Sequence, residues 1–176
     1  FWFGTNRLPG WTAGGPETNS TWTLPVFGNE PGEPCHGTAF IDSDCLQAWR
    51  WNLDYVVDLT NNSASYWYVK DTNRYGRNND PADAATYDRS GYLSHIAYGT
   101  RRDTTPEPDV DSIFTTAAPA KVAFGTADRC LSVCGTHDAL HWPDTPWDGD
   151  CAGAPCTTST PTYWTTKRLA TVTTQV

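Results

Sequence analysis

The chain has 176 residues, which corresponds to one domain or to a piece of a larger protein, and it carries a net charge of −8 with a pI near 4.7. This balance argues against a nucleic-acid binder, which needs a basic face, and no apolar run approaches the ~20 residues of a membrane-spanning helix. Aromatic residues make up 13% of the chain, and because each ring can bury roughly 150–250 Å² we expect a packed core rather than disorder.

The clearest predicted element is a β-hairpin in the first half of the chain. Residues 48–57 and 63–70 alternate large apolar and polar side chains, and residues 58–62 supply the turn between them. Before this hairpin, residues 42–49 form at most a short helical turn. Further strands are predicted over residues 93–98, after a turn at Ser90-Gly91, and over residues 121–124 and 168–176.

The remaining segments are rich in polar residues, Pro or Gly and are predicted to be loops. They cover residues 71–86, 101–119 and 141–161. We therefore predict an all-β fold of antiparallel hairpins with long loops. It forms a single segment over 1–176 that is strand-rich at 45–100 and loop-rich at 101–165.

The cysteines indicate an oxidising compartment, and so a secreted or extracellular protein. The chain has six of them: Cys35, Cys45, Cys130, Cys134, Cys151 and Cys156. An even number in a loop-rich chain predicts disulfides, although the sequence alone does not fix their connectivity. The spacing favours three local pairs, Cys35 with Cys45, Cys130 with Cys134, and Cys151 with Cys156. Each pair would contribute about 2–3 kcal/mol to stability in the chain-entropy model.

A weak internal repeat is visible around Tyr87. Residues 87–96 combine Tyr-Asp, two further residues, Gly and an alternating strand, and this order predicts a hairpin unit with an Asp-x-x-Gly turn. The pieces 4–8 and 166–172 share part of that pattern. One such unit cannot bury its own apolar face, so neighbouring units are expected to stack into a continuous sheet.

Several stretches together resemble the YD-repeat (RHS) family. They are FGTNRLPGW (3–11), CLQAWRWNLDYVV (45–57), TYDRSGYLSHIAYG (86–99), Pro146-Trp147-Asp148 with the following cysteines, and KRLATVTTQV (167–176). The match is nearest to the large secreted RHS proteins of actinobacteria, which look like polymorphic-toxin shells. The repeats here are degenerate, with Tyr92 where the family pattern usually has Arg.

This resemblance implies a structural, non-catalytic role. In the family, YD repeats wind into a hollow β-cage that encloses a toxin at the C-terminal end of the chain. Residues 1–176 are therefore expected to be a loop-decorated fragment of such a shell, with the remainder of the parent chain as the main partner. Neither nucleic-acid binding nor membrane insertion is expected.

An alternative function is an extracellular carbohydrate-binding β domain. Tryptophan rings can form flat platforms for sugars, although rings that alternate on one strand face also pack in cores. The candidate residues are Trp49, Trp51, Trp67, Trp142, Trp147 and Trp164.

Metal-binding and catalytic patterns are sparse. Cys130, Cys134, His137 and His141 have spacing that suits tetrahedral Zn²⁺, and a disulfide followed by two loop histidines is the competing interpretation. A calcium site is a further alternative for the acidic loop residues, which are Asp138, Asp144, Asp148 and Asp150.

No catalytic motif of the Gly-x-Ser-x-Gly or His-Glu-x-x-His type is present in the sequence. A hydrolase that uses paired carboxylates, with Asp144 and Asp148 as the first acids to test, is an additional alternative. We expect no cofactor and no enzymatic activity.

Overall fold

The computed structural model describes residues 1–105 and 107–176, and within these ranges the fold is almost entirely antiparallel β structure. The all-β prediction is therefore confirmed. The strands are β1 (Trp2–Phe3), β2 (Thr21–Phe27), β3 (Asp44–Trp51), β4 (Leu53–Val57), β5 (Asn62–Gly76), β6 (Ala84–Asp103), β7 (Val110–Asp111), β8 (Ala120–Asp128) and β9 (Lys167–Gln175). Four short 3-10 helices lie at Phe40–Asp42, Arg77–Asn79, Ser112–Phe114 and Trp147–Gly149. None of the helices described is long or apolar enough to span a membrane.

One long hairpin, β5–β6, forms the centre of the large sheet. Its pairing runs from Asn62↔Arg101 to Gly76↔Ala84. At its tip, the Arg77 guanidinium pairs with Asp83 at 2.9 Å and with Asp44 at 2.6 Å. The predicted loop over 71–86 is therefore wrong for most of its length, because cross-strand hydrogen bonds hold these polar residues in the ladder.

The predicted turn at Ser90-Gly91 is also wrong, because β6 continues through it. The β5–β6 register slips at three places, which leaves Arg89, Ser94 and Gly99 without a partner on β5. These evenly spaced residues are β-bulges, which bend a strand and increase its twist without reversing it. The turn-like composition of the Tyr-Asp-x-x-Gly segment thus produces a bend within one strand.

The predicted strand over 48–57 is two strands in different sheets. β3 pairs with β2, whereas β4 pairs with β1 and β5. The break falls at Asn52, whose backbone N–H and side-chain amide both donate to the Ser20 carbonyl, at 2.8 and 3.0 Å. The short helical turn predicted over 42–49 is instead strand β3 from Asp44 onward, preceded by the 3-10 helix Phe40–Asp42.

The large sheet has the order β1-β4-β5-β6-β8-β9, and β7 pairs with one end of β6. The strands predicted over 63–70, 93–98 and 121–124 lie within β5, β6 and β8, and the one predicted over 168–176 corresponds to β9. β9 is the outer strand, and its residues after Lys167 are exposed. The β2–β3 pair packs over β6, where an Asp88 carboxylate oxygen accepts from the Thr23 N–H at 2.7 Å and from the Lys70 ammonium at 2.9 Å.

Residues 129–166 connect β8 to β9 and pack along the tip half of the long hairpin. Asn73 donates to the Gly149 carbonyl at 2.8 Å, and the Cys156 N–H donates to the Pro81 carbonyl at 2.8 Å. The Tyr87 hydroxyl donates to the Thr162 carbonyl at 2.7 Å. Aromatic rings fill the space between the layers, and the buried ones include Trp22, Tyr55, Tyr75, Tyr87, Trp142 and Trp164.

All six cysteines are paired, and the three local disulfides are the predicted ones. The Cα–Cα distances are 5.0 Å for Cys35–Cys45, 5.4 Å for Cys130–Cys134 and 5.7 Å for Cys151–Cys156. Each disulfide closes a loop that has little aliphatic side chain to bury, so the covalent link replaces packing in ordering that loop.

Candidate binding cleft

A cleft of about 550 Å³ lies between the β2–β3 pair and the large sheet. We call it the aromatic cleft, because six ring-bearing residues line it: Trp22, Trp49, Tyr92, Phe124, Tyr163 and Trp164. They come from β2, β3, β6, β8 and the segment that leads into β9. The cleft therefore forms only when distant parts of the chain pack together, and no single sequence motif encodes it.

The rings on one side of the cleft pack against one another, Trp22 on Trp49 in a tilted arrangement and Trp49 on Tyr163 edge to face. The centroids of Trp22 and Trp49 are 5.7 Å apart, and those of Trp49 and Tyr163 are 4.9 Å apart. The Trp49 Nε1–H donates to the Asp88 carbonyl at 3.1 Å, and the Trp22 Nε1–H donates to the Asn19 carbonyl at 3.1 Å. Both indoles are therefore fixed in orientation before any ligand arrives. Burial raises the pKa of the Tyr163 phenol above its ordinary value, so this ring carries no charge at neutral pH.

Arg89 lies behind the cleft wall, and the bulge in β6 places it there. Its guanidinium pairs with Asp71 and with Asp150, both at 3.2 Å, and lies 4.1 Å from the centroid of the Trp164 ring. Its side chain is only 7% exposed. This cation connects β5, β6 and the long connection 129–166, so its role is to hold the cleft wall together.

Three further cations reach the cleft. The Arg50 guanidinium lies 4.8 Å from the Trp22 ring, and its Nε–H donates to Asn52 at 3.0 Å. Lys167 pairs with Asp128 at 2.5 Å, and this hydrogen bond raises the pKa of the Lys167 ammonium. The Arg168 Nε–H donates to the Asp128 carbonyl at 3.2 Å.

The charge of the cleft is opposite to that of the chain as a whole. The chain has 20 acidic residues, yet none of the described residues that line the cleft is an aspartate or a glutamate. Rings, hydroxyl groups such as those of Ser90 and Thr126, and guanidinium groups form its surface. Trp22 and Trp164 are buried, so Trp49, Tyr92, Phe124 and Tyr163 supply the ring surface that can stack on a flat ligand. The hydroxyl and guanidinium groups can donate hydrogen bonds, and the guanidinium groups attract negative charge.

The tryptophans singled out from the sequence lie in several places. Trp49 and Trp164 line the cleft. Trp51, the next but one residue along β3, is 59% exposed and lies outside it. Trp67 stacks on His95, with the ring centroids 5.6 Å apart. These candidates on β3 and β5 therefore lie in different surroundings and do not form one shared platform.

Trp142 and Trp147 belong to a second aromatic cluster in the connection 129–166. Their centroids are 5.2 Å apart, and His137 stacks on Trp147 at 3.6 Å. Trp147 is also 6.4 Å from Trp164, which links this cluster to the wall of the cleft. Trp142 is 4% exposed and acts as core.

The residues of the alternative zinc pattern are engaged in other contacts. Cys130 and Cys134 form a disulfide, and the His141 ring pairs with Asp138 at 2.6 Å. Within residues 1–105 and 107–176, no group of three or more His, Cys, Asp or Glu side chains is arranged to hold a metal ion. Of the acids considered for calcium or for hydrolysis, Asp144 pairs with Arg129 at 2.8 Å and Asp150 pairs with Arg89.

Sequence reasoning missed Trp22, Tyr163 and the arginines of the cleft. The run Thr21–Phe27 (TWTLPVF) is rich in residues that favour strands, and this signal could have identified β2 and its central ring. No local signal marks Arg50 or Arg168, because they lie on strands that meet only in the folded chain.

Comparisons of the chain with protein-family models, with curated proteins and with solved structures find no match.

Proposed function

We propose that this chain is a structural, non-catalytic segment of a secreted YD-repeat shell that encapsulates or delivers a toxin. The observation that carries the proposal is the open edge of β9. The resemblance of the sequence to the YD-repeat family gives the proposal its specific form, and the three disulfides fit an extracellular location.

The outer strand β9 has one edge that pairs with no other described strand. Along its length it pairs only with β8 among the described strands, so its other edge has unused backbone donors and acceptors. Leu169 is 59% exposed and Val172 is 57% exposed. A long edge strand with exposed apolar side chains is a site for pairing with a further strand, and in repeat architectures the next unit supplies that strand. The remainder of the parent chain would be the partner.

Hydrogen–deuterium exchange tests the shell proposal. The amides of β9 that do not pair with β8 should exchange quickly in the isolated chain. In the native secreted protein they should slow by at least about tenfold, because a neighbouring strand protects them. The amides of Ser63, Ala64 and Ser65 provide the control, because at these residues β5 lies between β4 and β6 in the isolated chain. Fast exchange of the outer β9 amides in the native protein would refute the proposal.

The aromatic cleft favours a second candidate, an extracellular carbohydrate-binding domain. The specific observation is that Trp49 and Tyr163 line an open cleft beside hydroxyl groups. In affinity electrophoresis through polysaccharide gels, Trp49→Ala should lose retention, whereas Trp51→Ala should keep it because Trp51 lies outside the cleft. Wild-type protein that migrates unretarded through every polysaccharide would exclude this function.

A further inference from the structure

We propose that the aromatic cleft binds an acidic saccharide, a glycan whose sugar units carry carboxylate groups, and that Arg50 and Arg168 are its carboxylate partners. This inference rests on the second proposed function and specifies the class of glycan. It goes beyond ring stacking, because it concerns which sugars the cleft selects.

The first step is the inverted charge of the cleft. A protein with net charge −8 repels anions over most of its surface. The cleft nevertheless presents Arg50, Lys167 and Arg168, with the buried Arg89 in its wall, and no described residue that lines it is acidic. A concave site lined by charge of one sign raises the local concentration of ligands of the opposite sign. The ligand class is therefore anionic.

The second step separates the structural cations from the available ones. Arg89 is buried and is held by Asp71 and Asp150, and Lys167 is neutralised by Asp128. Arg50 and Arg168 make no ion pair with any described carboxylate, and each uses its Nε–H on a neutral oxygen. Their terminal guanidinium nitrogens therefore remain free to bind a carboxylate through two parallel hydrogen bonds.

The third step concerns the shape of the ligand. The two arginines come from different sheets, Arg50 from β3 and Arg168 from β9, and rings contribute to the lining of the same cleft. The hydroxyl groups of Ser90 and Thr126 add groups that can donate to or accept from sugar hydroxyls. A saccharide with carboxylates on more than one unit offers all three features, namely flat apolar ring faces, hydroxyls and negative charge.

Calorimetric titration with two oligosaccharides of equal length tests this inference. The probes are tetragalacturonate, which carries carboxylates, and cellotetraose, which is neutral. We expect tetragalacturonate to bind at least about tenfold more tightly, with an affinity that falls as salt is added. Arg50→Gln and Arg168→Gln should each weaken its binding by about five- to tenfold. Arg74→Gln, which removes an exposed arginine outside the cleft, should leave binding unchanged.

Each other outcome has a defined meaning. If the two probes bind equally and Trp49→Ala abolishes both, carbohydrate binding holds and the preference for acidic sugars is refuted. If neither probe binds, the inference fails, and retention of the wild-type protein in the polysaccharide gels decides separately whether the carbohydrate-binding function stands. If polyglutamate or a single-stranded oligonucleotide binds as tightly as tetragalacturonate, the cleft recognises charge alone and the saccharide assignment is overturned. Circular dichroism of each Gln variant establishes that the fold is retained.

Discussion

At the scale of single residues, a buried carboxylate organises the amino-terminal segment. Asp54 is fully buried, and its Oδ2 accepts from the Thr5 N–H at 2.9 Å, the Asn6 N–H at 2.9 Å and the Ser20 hydroxyl at 2.8 Å. Its Oδ1 is buried without a hydrogen-bond partner in the described structure. One side chain on β4 thus positions two separate stretches of chain that have no regular hydrogen bonding of their own.

Asp54→Asn should therefore destabilise the protein by about 2–3 kcal/mol, because an amide replaces charge-assisted bonds by weaker ones and brings two new donors into a buried site. Urea unfolding monitored by tryptophan fluorescence measures the change. Asp42→Asn, at an exposed position in a 3-10 helix, should change stability by less than about 0.5 kcal/mol. Equal effects of the two substitutions would contradict the role assigned to Asp54.

His95 gives the protein a pH dependence of known sign. Burial, with a smaller contribution from Lys121 on β8, lowers the pKa of this imidazole from 6.5 to about 4. Between these two values the unfolded chain takes up a proton and the folded chain does not, so stability decreases as the pH falls from 6.5 toward 4. His95→Gln should reduce this decrease, as judged from urea midpoints at pH 7 and pH 5. A variant whose midpoint falls as far as that of the wild type would disprove the assignment.

At the scale of elements, the bulges of β6 shape the long hairpin. Arg89, Ser94 and Gly99 each interrupt the pairing with β5. The first bulge points an arginine into the wall of the cleft, and the last requires a left-handed backbone, since Gly99 has φ +82°. In a strand without these bulges, side chains would continue to alternate between the two faces of the sheet through Arg89. The Arg89 guanidinium would then not lie in the wall of the cleft.

Substitution of Gly99 tests the last bulge. A Cβ at Gly99 would lie 2.7 Å from Cγ of Pro119, whereas a Cβ at Gly14, which has φ +87°, would meet no atom within 4 Å. Both Ala variants carry the left-handed strain of about 1–2 kcal/mol. Gly99→Ala should lose a further ~1–3 kcal/mol to the clash. Thermal unfolding of the two variants gives the comparison, and identical losses would show that Pro119 moves aside freely.

At the scale of the whole molecule, the connection 129–166 forms a second layer that is hydrogen-bonded to the long hairpin β5–β6. The Cys151 N–H donates to Asn73 at 2.9 Å, and the 1% exposed Cys156 lies against the turn at Gly76. The Cys130–Cys134 loop lies further out, since its two cysteines are half-buried and the three residues between them are exposed. The two disulfides thus close loops of similar length in different surroundings.

This difference predicts unequal effects of removing the two disulfides. Their sequence separations are 5 and 4, so the entropic contribution of each is nearly the same, about 2–3 kcal/mol. Replacing Cys151 and Cys156 by Ala should cost about 1–3 kcal/mol more than replacing Cys130 and Cys134 by Ala, because the first pair also leaves a buried gap. Denaturant unfolding of the two double variants measures this difference. Equal losses would show that the loop packs weakly on the hairpin.

In the long hairpin, the sequence predicted the half whose side chains alternate and missed the polar half near the tip. Residues 63–70 have a clear period of two, which depends only on local chemistry. Residues 71–76 and 84–91 look like loop or turn because Asp88 and Arg89 are polar, yet Thr23, Lys70, Asp71 and Asp150 satisfy these groups in the fold. Their partners are distant in the chain, so no local pattern could reveal them.

Two tryptophans of the cleft could be predicted from the sequence, whereas its arginines could not, for the same reason. Trp49 and Trp164 were candidates because tryptophan is a common ligand-contacting residue. Arg50 could not be distinguished from other surface arginines, since its significance depends on β3 and β9 lining one cleft. Disulfide pairing was the best predicted feature, because short spacing restricts which sulfurs can meet.

The locality of the disulfides has a consequence for the proposed secretion of the chain. The six cysteines pair two by two in chain order, the first with the second, the third with the fourth and the fifth with the sixth, at separations of 10, 4 and 5 residues. A chain that crosses a membrane from its amino-terminal end presents each pair to the oxidising side in order, and each pair is complete before the next one emerges. An oxidase acting during translocation would therefore produce the native bonds directly, without a disulfide isomerase to reshuffle them.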